Sequence, residues 1–349
     1  MTAVITGASG RIGGNLVRTL LDRGEQVRAM VHRDDRALRG LDIERVNADI
    51  TDAAAVRTAC AGASVIYHLA ARISIDGGHG GAVERINVGG TANVVEAALA
   101  EGVRMVHVSS IHAMQQSPKN EALDETRVRV PWGDRRWPVY DQTKAEGERV
   151  VRRAIDRGLD ATILHPTGVI GPHDYAPSRL GEVFLQLYRR RLPSLVDGGF
   201  DWVDVRDVVQ ALVAAADPAK GKRGESYLLT GSWRSVRELA ATAERVTGMA
   251  PPRLSTPMWL AEMGAPLMTL WARMTGAEPL YTSESLEALR SNRDMRSDKA
   301  MKDLGFSPRQ FEQSVYEVYE WHRAQGNLPN NAQLRRIGSA PGEFPIETP

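Results

Sequence analysis

The 349-residue chain reads as an α/β protein: a doubly wound parallel sheet followed by a smaller, mainly helical C-terminal lobe. Three observations predict this. Short apolar runs alternate with helix-patterned segments through the first half, the rhythm of parallel strands joined by crossover helices. The first apolar run, Ala3 to Thr6, meets glycines at 7, 10 and 13 and passes at once into a helix pattern. The run Ser64 to Leu69 is almost continuously apolar, as in a strand covered on both faces.

The elements follow in order. Leu16, Leu20 and Leu21 recur at helical spacing, and Asp22-Arg23-Gly24 closes that helix with a glycine cap. Gln26 to Val31 alternates as a second strand, and Ile43 to Val46 is a short third. Asp49-Ile50-Thr51-Asp52 precedes a helix over 53–60, and Ser64 to Leu69 is the fourth strand. A glycine-rich loop (Gly77-Gly78, Gly80-Gly81) leads into a long helix over 82–101, and Val103 to Ser109 is the fifth strand. Residues 111–138 break the rhythm with prolines, charges and two tryptophans, so an irregular loop at the site is expected. A helix over 139–156 and a sixth strand over 160–164 complete the core. Beyond it, helices are expected near 178–191, 204–216, 235–247, 257–275, 282–290 and 311–325, with a strand near 225–229. The division is therefore a core over 1–170, to which about 200–230 returns, a lobe over 171–326, and an extended or disordered tail over 327–349, poor in apolar residues.

Lys+Arg 44 against Asp+Glu 43 makes the chain nearly neutral, which argues against an electrostatic binder of nucleic acid or of a membrane surface. The single Cys60 permits no internal disulfide and fits a reducing compartment. A first strand so close to Met1 leaves no room for a signal peptide, and no apolar run reaches the eighteen or so residues of a membrane span, so a cytoplasmic protein without stable membrane insertion is expected.

The glycine turn is the first candidate site. Gly7, Gly10 and Gly13 allow a tight strand-to-helix turn and a close backbone approach to a pyrophosphate lodged on the helix N-terminus. The second lies on the helix after the irregular loop, where Tyr140 and Lys144, four residues apart, share one face. A phenol titrates near 10, too high for a base at neutral pH; a nearby ammonium and an oxidised nicotinamide would lower it, letting the tyrosine give or take a proton. Ser109-Ser110, at the carboxyl end of the fifth strand, supplies a hydroxyl for the same substrate oxygen.

These residues resemble the extended short-chain dehydrogenase/reductase family. Thr6-Gly7-Ala8-Ser9-Gly10-Arg11-Ile12-Gly13 matches its TGxxGxxG turn, Tyr140 to Lys144 its YxxxK, and Ser110 its catalytic serine. Asp49-Ile50, His68-Leu69-Ala70-Ala71, Asn87-Val88-Gly89-Gly90-Thr91 and Trp202 to Val208 match further segments, so the likeness runs from residue 2 to about 325. It implies a Rossmann core with Ser110, Tyr140 and Lys144 catalytic. It also implies a cofactor site formed by Gly7, Ser9, Gly10, Arg11, Ile12, Gly13, Asp49, Ile50, Leu69, Ala70, Ala71, Asn87, Val108, Tyr140, Lys144, Pro166, Thr167, Gly168 and Val169. In this reading Pro166 fixes the turn after strand six, and Thr167 to Val169 run against the carboxamide. Nucleotide-sugar members usually carry a Tyr-Gly pair after the serine and an Arg-x-x-Asn-x-Tyr-Gly-Pro segment after strand six. Here Ser110 to Gln115 and His165 to Pro172 look more like dihydroflavonol reductase, cinnamoyl-CoA reductase and 3β-hydroxysteroid dehydrogenase relatives. The expectation is hydride transfer to a ketone or aldehyde, or from a secondary alcohol, on a fairly large, partly apolar small molecule. A sugar epimerase or dehydratase using NAD transiently, and a non-catalytic cofactor sensor, are the alternatives. By resemblance alone, the helices near 82–101 and 138–157 would pair in a homodimer.

An acidic residue at the end of strand two would bind the adenosine ribose and exclude a 2′-phosphate. Here that position is Val31, followed by His32 and Arg33, which favours NADP(H) over NAD(H), although Asp34 or Asp35 could reach the ribose if the turn shifts. Arg11 either faces a phosphate or is an exposed arginine at a helix start. Asn87 either helps hold a water or the lysine or is a polar helix residue. His112 either touches the substrate or, as the preferred reading, is a solvent-exposed loop histidine, and His68, His107 and His165 lack the spaced partners of a metal site. Trp132, Trp137 and Trp202 are candidates for pocket lining. The Met/Trp-rich 257–275 helix is read as packing on the lobe, ahead of a lipophilic substrate wall or a membrane-grazing helix.

Overall fold

The structure, a computed structural model, describes residues 2–74, 77–175, 178–265 and 282–337. Its centre is a seven-stranded sheet of order β10-β6-β5-β4-β1-β2-β3, formed by β1 (Thr2–Thr6), β2 (Gln26–Val31), β3 (Glu44–Asn47), β4 (Val65–His68), β5 (Arg104–Val108), β6 (Ala161–Pro166) and β10 (Ser226–Leu229), all parallel. Alternation along the strands sorts side chains onto two buried faces. Ile5, Tyr67, Val106 and Leu164 meet the Arg11–Asp22 and Val205–Ala216 helices on one face. Val4, Ile66, Met105 and Ile163 meet the Ala53–Cys60, Thr91–Glu101 and Val139–Asp156 helices on the other. The chain reverses direction across the sheet between β1 and β4, and the crevice at that switch point is where such sheets place ligands.

The later half forms a lobe with its own core. A three-stranded sheet of order β11-β9-β7 uses β7 (Gly168–Ile170), β9 (Gly199–Asp204) and β11 (Ser232–Ser235), and β8 (Leu195–Val196) pairs with β12 (Ser255–Thr256). The Arg179–Tyr188, Val236–Thr247 and Phe311–Ala324 helices pack Phe184, Leu239, Val315 and Tyr319 between them.

Most expected elements occur within a residue or two. The exceptions have local causes. The 82–101 helix is continuous, but its Arg85–Gly90 stretch is π-helical, and at Gly90 a Cβ would lie 2.9 Å from Ile50. The sixth strand runs on to Pro166, and the helix expected to 191 stops at Tyr188, before Arg190 at φ +54°. The polar Ser232–Ser235 strand, the three-residue Gly168–Ile170 strand and the Asp298–Leu304 helix were not expected, because short or polar elements carry no periodicity. Residues 327–337 have no regular element, yet Leu328 and Ala332 are buried against the lobe and the Arg335 N–H donates to Val246 O at 2.8 Å, so this part of the expected tail is packed rather than free. The expectations for 266–275 and 338–349 lie outside the described residues.

Candidate active site

The glycine turn joins β1 to the Arg11–Asp22 helix. Gly7 sits at φ +69°, and a Cβ there would approach Ala70 N to 2.7 Å; one on Gly13 would approach Gly7 O to 2.2 Å. The backbone is therefore folded as closely as glycine permits, and it lies against the Leu69-Ala70 segment at the end of β4. Gly10 caps the helix in extended conformation with no side-chain hydrogen bond, and the first turn holds no acidic residue. An uncapped N-terminus on a glycine cradle suits a dinucleotide pyrophosphate, so the residues fit the expected group. Ser9 and Ile12 are half-buried beside it.

Arg11 departs from the phosphate-facing option. Its guanidinium turns toward the lobe, bonding Asp174, Ser178 Oγ and Val169 O, and its side chain is only 10% exposed. It ties the turn to the N-terminus of the Arg179–Tyr188 helix, leaving only its backbone to an anion.

A buried polar chain leads from the turn to the second cluster. Thr6 Oγ1 accepts from the Leu69 and Ala70 amides at 3.2 and 3.1 Å and donates to His68 Nδ1 at 2.8 Å. His68 Nε2 donates to Thr91 Oγ1 at 2.9 Å, and Thr91 donates to Asn87 O at 2.7 Å. Only the Nε2–H tautomer of neutral His68 satisfies this sequence. Burial, with the neighbouring Lys144 charge, brings its pKa down to about 3. Asn87 receives the Arg72 amide at 2.7 Å and donates to Arg72 O and Thr143 Oγ1 at 3.1 and 3.0 Å. Thr143 in turn donates to Tyr140 O at 2.9 Å. The side chain expected at the cofactor or the lysine is thus a brace between the strand-four loop and the tyrosine helix.

Lys144 is buried and donates to Val108 O at 2.8 Å, joining two of the expected residues. Burial lowers its pKa to about 8, against the opposing charge of Glu148 one helical turn on. Glu148 stays ionised because His165, at 2.7 Å, with Arg129 and Arg152, outweighs its burial. Tyr140 is held above its usual 10 by burial; a hydrogen bond with Ser110 pulls the other way and Asp141 adds to the rise. The sequence led us to expect a phenol lowered by the lysine together with an oxidised nicotinamide; among the protein's own groups, Lys144 does not shift it. In this fold desolvation dominates, and at neutral pH the phenol is a proton donor.

His112 is the residue the sequence reading undervalued. Its Nδ1 lies 3.1 Å from Asp141 Oδ1, its ring stands edge-on to Tyr140 with centroids 5.6 Å apart, and its backbone N–H donates to Ser110 Oγ at 3.2 Å. Burial lowers its pKa, but the Asp141 charge and hydrogen bond more than offset this and the net shift is upward. One signal was available: His112 is two residues after the serine and Asp141 one after the tyrosine, so any contact of Ser110 with Tyr140 brings them together.

The remaining expected residues disperse. Asp49 accepts from Thr51 N and Oγ1 at 2.9 and 2.8 Å, and its other oxygen lies 3.6 Å from His32 Nε2. The Ile50 carbonyl accepts from Asn93. Ala71 is exposed at the loop after β4, and Pro166 ends β6. Thr167 turns into the protein, donating to Asp201 at 2.6 Å, and Gly168 lets the Asp201 backbone approach. Trp202 is core, packed against Phe200 and Phe311; Trp137 packs on Val130 and Ala145; Trp132 is exposed.

What this fold and site define is the short-chain dehydrogenase/reductase class of nicotinamide-dependent enzymes. The chain belongs to the NAD dependent epimerase/dehydratase family, whose profile matches residues 3–229. It is 36% identical over 335 residues to sterol demethylase protein B of Methylococcus capsulatus, covering 94% of this chain and 100% of that one. It is 31% identical over 332 residues to a putative dihydroflavonol 4-reductase of Synechocystis, covering 92% and 94%. Among solved structures, that of gox2253 superposes with a TM-score of 0.79 at 28% identity, covering 94% of this chain and 99% of the other.

Proposed function

We propose that the protein is an NADPH-dependent reductase of a ketone or aldehyde on a fairly large, partly apolar molecule. The observation that carries the direction is the half-buried Tyr140 phenol, held protonated and hydrogen-bonded with Ser110, one helical turn before a lysine that is still protonated at neutral pH. The cofactor would supply hydride to the carbonyl carbon. Ser110 orients the carbonyl oxygen, and Tyr140 donates its proton to that oxygen as charge develops. Lys144, one helical turn from Tyr140 and fixed by Val108 O, would supply the positive charge that steadies the phenolate left behind. Asn87 and Thr143 fix the tyrosine helix against the strand-four loop.

The preference for the phosphorylated cofactor rests on the end of β2. Val31 stands where a ribose-binding carboxylate would, and His32 and Arg33 follow, both exposed. The two acids that could have replaced it are occupied: Asp34 pairs with Arg36 at 2.7 Å and Asp35 with Arg39 at 3.2 Å. The substrate class is supported by relatives named for a sterol and a dihydroflavonol, both polycyclic.

The test is turnover of purified protein with a panel of cyclic ketones, following nicotinamide absorbance with NADPH and NADH. Net oxidation of added NADPH, lost in Tyr140→Phe, is the expected result. Conversion of a sugar nucleotide without net cofactor consumption would overturn the reading in favour of an epimerase.

A further inference from the structure

The lobe carries one concentrated apolar surface that the site does not use. Of the eight large hydrophobic side chains exposed among the described residues, four fall within ten positions: Leu254 at 71%, Trp259 at 60%, Leu260 at 47% and Met263 at 67%. Three of them lie on the 258–265 helix. That helix turns Met258, Ala261 and Ala265 inward against Val196, Leu286 and Leu289, so Trp259, Leu260 and Met263 are its outer face. Isolated exposed leucines need no explanation, but a contiguous set on one helix does.

The surroundings specify the partner. The loop entering β8 carries Arg189, Arg190 and Arg191, all exposed, and the segment entering β12 carries exposed Arg253. These strands pair in parallel with Leu195 opposite Ser255, and Leu195 N–H donates to Leu254 O at 3.0 Å, so both arginine segments reach the pair from the same end. Arg189 lends Nη2 to Asn327 O at 3.3 Å. The acid on the helix, Glu262, pairs with Arg290 at 2.6 Å, which also lies 3.8 Å from the exposed Glu287; Asp197, at the end of β8, is exposed and accepts from Ser255 at 2.9 Å.

We propose that this face docks the enzyme on an anionic lipid surface. Trp259, Leu260, Met263 and Leu254 enter the headgroup boundary while Arg189, Arg190, Arg191 and Arg253 meet lipid phosphates. The near-neutral charge of the whole chain, which argued against such binding, averages over this local concentration. No helix among the described residues is long and apolar enough to cross a membrane, so the contact is interfacial. It places the lobe where an apolar substrate is dissolved, but it stands independently of the proposed reaction.

The test is sedimentation of the full chain with phosphatidylcholine vesicles, with and without about a third phosphatidylglycerol. The expected result is binding to the anionic vesicles that weakens with salt and is much weaker on the neutral ones. Trp259→Ser with Met263→Ser should lower partitioning about tenfold, and Arg190→Glu with Arg191→Glu by at least about tenfold. All four side chains are exposed, so the thermal midpoint should not move. No binding to anionic vesicles at low salt, or binding unchanged in both variants, overturns the proposal. A dimer in light scattering that the Trp259/Met263 variant dissolves would also overturn it, assigning the face to a second copy of the chain.

Discussion

At the Gly7–Gly13 turn the working surface is backbone; at Ser110, Tyr140 and Lys144 it is buried side chains. The difference is one of vulnerability. The turn's one charged side chain, Arg11, is directed into the lobe, and Gly13 tolerates no added carbon, since a Cβ there would stand 2.2 Å from a carbonyl oxygen. The side-chain cluster depends instead on its charge states, which are set by burial, neighbouring histidines, Glu148 and Asp141. Geometry governs the first region and protonation the second.

The sharpest separation is expected from Tyr140→Phe. It should reduce kcat by about 10³-fold or more while leaving cofactor affinity within about twofold, by stopped-flow turnover and fluorescence titration. Comparable losses in both would merge the two regions into one. The next effect is on stability in acid. His68 and His107 are buried neutral, His68 with a pKa near 3 and His107 well below its ordinary value, both mainly through burial. The unfolded chain binds protons on these rings near pH 6.5 and the folded one does not, so stability is lost as pH falls below about 6.5. By pH 5 the loss from His68 alone should reach about 2 kcal/mol in urea unfolding, and His107 adds to it in the same direction. Neither ring nitrogen of His107 has a hydrogen-bond partner, so His107→Leu should reduce that acid sensitivity without breaking a hydrogen bond.

Gly13→Ala should cost about 3 kcal/mol in urea unfolding and weaken cofactor binding equally above and below pH 6.5. A pH-dependent defect would contradict the division drawn here. Gly62→Ala is the control: its Cβ meets nothing within 4 Å, and only its φ of +67° is strained, so about 1 kcal/mol is expected. The last effect is just past the end of β2. Arg33→Glu should raise the KM for NADPH about tenfold and leave that for NADH nearly unchanged.

Much of this was legible because the signals are local. The first six strands could be read from apolar runs, and the TGxxGxxG and YxxxK spacings are short-range demands of a turn and a helix face. What could not be read depends on partners far along the chain. Arg11 meets Asp174 across 163 residues, Asn87 meets Thr143 across 56, and Thr167 meets Asp201 across 34. Their side chains have several feasible partners in an unfolded chain, and only packing selects one.

The sequence by itself therefore determined the order of strands and helices, the place of the glycine turn, and the presence of a serine, a tyrosine and a lysine suited to hydride chemistry. Tertiary structure alone decided their protonation. Desolvation and charge act through space: burial holds the Tyr140 phenol neutral, lowers Lys144 to about 8, and sets the His112–Asp141 pair beside them. Tertiary structure also turned the Trp259–Met263 face outward, because the opposite side of that helix fits Val196 and Leu289 and one helix cannot bury both.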